Sequence, residues 1–281
     1  MKKIFALLLV LTMVLSFAAC GGNTPAETTA PAGTTAPAGT TAPAGPTAPA
    51  ETTVPATTVP ETTGAPVAAV MTHAEFVAAE LDAPVVIETY VQAVESWYKG
   101  VCHLYAQSED GGYYIYNLDC TEEEAAKFVP GTKIRVSGFK AEWSGEVEII
   151  DATYEILEGS YIVSEATDVT ALLGTDELIA HQNELVSFKG LTVAASKDAN
   201  GNDVPFLYKW DGSGSQGDDI YFNVTDGTNT FTFTVNAYMI DNADTYAAVE
   251  ALKVGDVIDV EGFLYWYNGA QPHVTAVAPA K

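Results

Sequence analysis

The chain has 281 residues, of which 48% are hydrophobic, and its 12 basic and 37 acidic residues leave a net charge of −25. It holds one arginine, Arg135, so it has little with which to displace counterions from phosphates; the expectation is a protein that binds no nucleic acid and avoids anionic headgroups. The acidity reads as solubility at a charged surface rather than as a cation site. Helix-forming runs are few, while Val, Thr, Tyr and Phe recur in alternating stretches, which predicts an all-β protein with short helices.

In chain order, the first segment is Met1-Lys2-Lys3, then an apolar run from Ile4 to Phe17, then Ala18-Ala19-Cys20-Gly21. A basic start, a short apolar core and small residues before a cleavage point describe a secretory signal peptide over 1–19. The alternative, a transmembrane helix, needs about 20 apolar residues, more than this run supplies. A cysteine directly after the small residues resembles a bacterial lipobox. That resemblance implies a diacylglyceryl group on Cys20, removal of residues 1–19 and an exported protein anchored to the bacterial cell membrane, facing outward. Loss of Lys2 and Lys3 would leave ten basic residues against 37 acidic ones.

Residues 20–66 read as a linker. Thr-Thr-Ala-Pro-Ala-Gly occurs three times, at Thr28–Gly33, Thr34–Gly39 and Thr40–Gly45, followed by Thr53-Val54-Pro55 and Thr58-Val59-Pro60. Such a segment has too little to bury to offset its ordering entropy. Proline at close intervals favours extended polyproline II at about 3.1 Å per residue, a reach of up to about 140 Å. The segment fits a spacer with O-linked sugars on its threonines, and equally a plain linker.

The remainder contains an internal repeat. Gly131–Phe139 aligns without gaps with Gly255–Phe263, and the correspondence continues through Trp143/Tyr267, Gly145/Gly269 and Ile150/Val274. An Ala-rich helical piece precedes each copy, Glu122–Phe128 and Thr245–Leu252. Asp-Gly turns join Val101–Ser108 to Gly112–Leu118 and Ile220–Thr225 to Thr230–Val235. First strands are expected at Val85–Val94 and Leu185–Ala194. Short helical segments precede them at Thr72–Ala79 and Val169–Leu173, and Thr72 with Glu75 makes a capping box. Gly138 and Gly262 sit where the apolar phase changes, which predicts bulges that bend the strands.

Three strands, a short helix and two strands, twice over, resemble the OB-fold, a five-stranded Greek-key barrel. The expected domains are 67–158 and 159–281, with a pair of β-sandwiches as the other arrangement of the same strands. The whole chain resembles bacterial surface lipoproteins with tandem OB-like domains, a likeness that bears on fold far more than on activity.

OB-folds usually bind on strands two and three, between the loops joining strands one to two and four to five. Aromatic residues cluster where those loops fall: Trp97 and Tyr98 in the first copy, Tyr208 and Trp210 in the long insertion of the second, and Tyr265, Trp266 and Tyr267 before Asn268-Gly269. Trp143 and Tyr267, equivalent by the repeat, read as packing. Trp266 aligns with Glu142 and reads as an exposed stacking platform. The candidate ligand residues are Trp266, Trp210, Tyr208, Trp97 and Tyr98, with packing between strands or domains as the other explanation.

Cys102 and Cys120 fall on one hairpin, position 102 opposite 119 or 120, close enough for a disulfide or for two separate thiols. Gly212–Gly217 matches G-x-G-x-x-G but lacks the strand and helix that a nucleotide loop needs, and Asp211, Asp218 and Asp219 flank it. Asp198–Asp203 spaces oxygen ligands like a calcium loop, but Asp203 and Lys209 stand where that loop needs glycine and glutamate; a turn at Asn200-Gly201 fits better. His73, His103, His181 and His273 lack zinc-site spacing, so no metal or other cofactor is expected. The expected function is a surface binding module for a carbohydrate, peptide or surface protein, not an enzyme. The alternatives are a structural spacer in an envelope complex and, third, a carboxylate-based hydrolase.

Overall fold

The structure, a computed structural model, describes residues 69–281. The segments read as signal peptide and linker, with Cys20, lie outside the described residues.

Helix α1 (His73–Ala78) starts at the capping box: Thr72 accepts from the Glu75 amide, and Glu75 accepts from the Thr72 amide at 2.8 Å. Strands β1 (Pro84–Val94), β2 (Val101–Ser108), β3 (Gly111–Asp119), β4 (Lys133–Trp143) and β5 (Glu146–Ile156) close into a barrel in the order β1-β2-β3-β5-β4. Helix α2 (Glu122–Ala125) is a single turn, shorter than the expected Glu122–Phe128, with its own capping box between Thr121 and Glu124. Alternation places Ile87, Val91, Cys102, Leu104, Ile115, Ile134, Val136 and Ile149 inside, all fully buried.

The connector from β5 runs back along barrel 1, where Gln92 accepts from the Ser164 amide and donates to the Ile162 carbonyl. Strand β6 (Thr167–Asp168) and two 3₁₀ turns, Thr170–Leu172 and Asp176–His181, lead to β7 (Leu185–Ala194). The insertion holds β8 (Ser196–Lys197), β9 (Asp203–Val204) and β10 (Phe206–Tyr208). Strands β11 (Ile220–Thr225) and β12 (Thr230–Val235), helix α3 (Ala243–Glu250), then β13 (Val257–Phe263) and β14 (His273–Pro279) complete a second ring, β7-β11-β12-β14-β13. Two five-stranded OB-like barrels of the same strand order therefore follow one another. Both belong to one compact unit.

The register shifts beside Gly138 and Gly262, as the phase argument predicts, but the extra residue lies on the partner strand. Each glycine allows close approach: a Cβ would sit 2.7 Å from the Ile150 carbonyl oxygen at Gly138 and 2.5 Å from that of His273 at Gly262. The expected change of phase in β4 does not occur. Lys140 stays inside, donating to the Val77 and Ala79 carbonyls at 2.7 and 2.8 Å, while Phe139 and Trp143 are exposed. The lysine serves the end of α1, where carbonyls lack helical donors.

Candidate functional site

In barrel 1, the face where OB-folds usually bind is covered. Tyr105 and Tyr114 point outward from β2 and β3, and barrel 2 buries them against Met239 and Phe263. Tyr105 stacks on Phe263 with ring centres 4.5 Å apart and planes 9° from parallel, and its hydroxyl meets His273 Nδ1 at 2.8 Å. Backbone bonds also join the barrels: Asn268 donates to Ser144 at 2.7 Å, Ser96 to Tyr238 at 2.6 Å and Ile240 to Val94 at 2.9 Å. Gln107 accepts from the Leu185 amide at 2.8 Å.

Beside this joint opens a cleft of about 550 Å³, lined by Trp143, Trp210, Tyr221, Tyr265, Tyr267, Gln271 and His273. Trp143 comes from the end of β4, Tyr221 from β11, and Trp210 from the insertion after β10. Tyr265, Tyr267 and Gln271 come from the β13–β14 connection, which turns at Asn268 (φ 54°). Trp143 and Tyr267 touch with ring centres 5.2 Å apart, yet each keeps about half its surface exposed. Trp210 is 76% exposed. Tyr265 stacks on His273 at 4.3 Å. Burial lowers the His273 pKa to about 3, so its ring is neutral, and burial raises that of the Tyr265 hydroxyl. The cleft thus offers flat apolar faces edged by an amide and a neutral imidazole. That arrangement suits planar rings with polar edges.

Of the five candidate ligand residues read from the sequence, only Trp210 lines this cleft. Trp266 is half-buried rather than an exposed platform: it packs on the barrel 2 core and lies so close to Gly145 that a Cβ there would come within 2.7 Å of its ring. It faces a neighbouring groove with Phe231 and Gln271. Tyr208 is half-buried against barrel 2, donating to Glu250 at 2.6 Å and stacking beside Tyr246. Trp97 donates to the Cys120 carbonyl at 2.8 Å, and Tyr98 packs under the Lys99 ammonium; neither lies in the cleft. Trp143 and Tyr267 pack, as read, but on each other across the joint. Their equivalence in the repeat, and the grouping of Tyr265 with Tyr267 before Asn268-Gly269, were further signals in the sequence that pointed toward this place. Tyr221 and Gln271 carried none, and His273 was read only as a histidine without zinc-site spacing.

Asp198 caps its own turn, accepting from the Asn200 and Asn202 amides at 2.8 Å. Among the described residues, no cluster of three or more His, Cys, Asp or Glu could hold a metal.

No family model matches the chain, and no curated protein matches it. Several solved structures do. A murine DNA binding protein bound with double-stranded DNA is 16% identical over 70% of this chain and 100% of its own, with a TM-score of 0.33. The Ifi202 HINa domain in complex with a 20-base-pair duplex is 13% identical over 72% of this chain and 97% of its own, with a TM-score of 0.31. A replication protein A heterotrimer bound to single-stranded DNA is 11% identical over 70% of this chain and 49% of its own, with a TM-score of 0.27.

Likeness at this level assigns this chain no partner, but it corrects the expectations set out above. The structures matched hold DNA, so the exclusion of nucleic acid is withdrawn. With it go the module for carbohydrate, peptide or surface protein, the envelope spacer and the hydrolase. The charge argument concerned phosphate contacts alone and says nothing against stacking on bases.

Proposed function

We propose that the aromatic cleft binds unstacked nucleobases of single-stranded nucleic acid. The observation that carries this reading is the convergence of Trp143, Trp210, Tyr221, Tyr265 and Tyr267 on one cleft beside the polar edges of Gln271 and His273. Stacking of a base on an aromatic side chain is worth about 1–3 kcal/mol and tolerates any base. The phosphate term is weak here. Lys133 and Arg135 are engaged by Glu88, Lys197 by Asp203 and Lys140 by carbonyls. Binding then depends on rings, and its salt dependence is shallow or reversed, unlike the steep fall of proteins that neutralise several phosphates.

Titration of tryptophan fluorescence with adenosine and with a short oligothymidylate tests this. Saturable quenching is expected, weakened by roughly 5- to 150-fold in Trp143→Ala, with affinity holding or rising between 50 and 200 mM salt. Absence of quenching by both probes at millimolar concentration, or a Trp143→Ala protein that binds like wild type, would falsify the assignment.

A further inference from the structure

A second cavity, of about 540 Å³, lies between barrel 1 and the 3₁₀ turn Asp176–His181 that leads into barrel 2. It shares no lining residue with the aromatic cleft. Its apolar walls are Phe76 and Val77 from α1, Val147 from β5, and Ile179 and Ala180 from the turn. Val77 and Ile179 keep 57% and 43% of their surface exposed, so the described chain leaves this apolar surface uncovered. A space of this size suits a small molecule.

The wall carries one ammonium. Lys140 on β4 lines the cavity and is only 7% exposed. Its Nζ donates to the Val77 carbonyl at 2.7 Å and the Ala79 carbonyl at 2.8 Å, and stands 5.5 Å from the centre of the Phe76 ring. Val77 and Phe76 both line the cavity, which places the ammonium at its wall. An ammonium has three hydrogens, and among the described residues the third has no acceptor. The carbonyls answer it as dipoles; among the described residues no ion pair neutralises its charge. In a chain with 37 acidic residues, none of the twelve residues lining this cavity is acidic. Burial lowers the Lys140 pKa, opposed only by the charge of Glu142, which is exposed further along β4. Glu146, with no exposed surface, accepts from the Trp266 amide at 2.8 Å and from Gln182 Nε2 at 3.3 Å, and does not line the cavity. A buried cation without a counterion is costly, and an anion entering the cavity relieves that cost.

We propose that this cavity binds a small monocarboxylate with an aliphatic tail, its carboxylate on the Lys140 ammonium and its tail along Val77, Val147 and Ile179. The carboxylate takes the third hydrogen of the ammonium, so the two bonds to the end of α1 stay in place. The charge selects an anion, and the apolar walls select one with a tail. Each methylene the tail buries tightens binding by roughly fourfold, and the tail covers the exposed faces of Val77 and Ile179.

Calorimetric titration of the full chain at neutral pH with octanoate, octan-1-ol and acetate tests the site. Saturable binding of octanoate is expected, roughly 10- to 150-fold tighter than octan-1-ol, which lacks the charge. Acetate, without a tail, is expected not to saturate at millimolar concentration. Lys140→Met keeps the apolar stem and is expected to bind octanoate no more tightly than octan-1-ol. Because Lys140 also holds the end of α1, that variant can fail to fold; Ile179→Glu changes an exposed position instead and sets a like charge at the mouth. It is expected to weaken octanoate more than octan-1-ol. No saturable heat from octanoate at millimolar concentration, equal affinity for octanoate and octan-1-ol in wild type, or a folded Lys140→Met or Ile179→Glu protein that keeps the wild-type preference overturns the site. Octanoate binding stands or falls apart from quenching by adenosine, since the cavity and the cleft have no residue in common.

Discussion

Cys102 and Cys120 offer a prediction whose size follows from the structure. Their sulfurs are 3.4 Å apart, with both thiols free. The strand register places Leu118 opposite Cys102, one or two residues from the expected 119 or 120. Cys120 reaches back from just beyond β3, where its amide donates to Gly100. The sulfurs need only a small adjustment to bond, and oxidised glutathione supplies the oxidant: two thiols lose two protons and two electrons, and one glutathione disulfide becomes two thiols. The bond closes a loop spanning 18 positions, which stabilises by about 3 kcal/mol through the unfolded state. For a folded unit of this size each kcal/mol moves the melting temperature by about 2–4 °C, so oxidation is expected to raise it by about 6–12 °C. Burial pushes the Cys102 thiol well up and also raises Cys120. Exchange through the more accessible Cys120 therefore quickens as pH rises toward 9. Intact mass, alkylation under native conditions and melting of oxidised against reduced wild type read the result without changing the sequence. Alkylation of both thiols after oxidation, a mass gain of one glutathione, or equal melting temperatures would refute the pairing.

Two further predictions follow from other parts of the chain. Tyr105→Phe removes the partner of buried His273 Nδ1 while keeping the stack on Phe263; a loss of about 1–3 kcal/mol is expected by denaturant unfolding, and a change below about 0.5 kcal/mol contradicts the role given to that bond. At the other end of the chain, the proposed lipid on Cys20 predicts that Cys20→Ser moves the protein from the detergent phase to the aqueous phase in phase partitioning. A protein that still enters the detergent phase speaks against a lipid on Cys20.

Local pattern was legible wherever it reflects backbone alternation and turn chemistry. The bounds read for Val101–Ser108, Leu185–Ala194, Ile220–Thr225 and Thr230–Val235 match the structure residue for residue. The offset of 124 residues between the copies carries over into two rings of the same strand order. Outward faces were less legible. Tyr105 and Tyr114 alternate correctly with the core residues, but alternation distinguishes only inside from outside a barrel. Whether outside means water depends on what else packs there.

By itself, then, the sequence determined the strands, their turns, the repeat and the barrel class, because each follows from residues close together in the chain. Tertiary structure alone decided the joint and the cleft. Tyr105 meets a histidine 168 positions away, and Trp143 lines a cleft with residues more than 60 positions on. Glu146, one acid among 37 acidic residues, looks like any solvated carboxylate until the second barrel dries it. Desolvation and stacking are properties of contact, and these contacts form only when two separately patterned barrels close on each other.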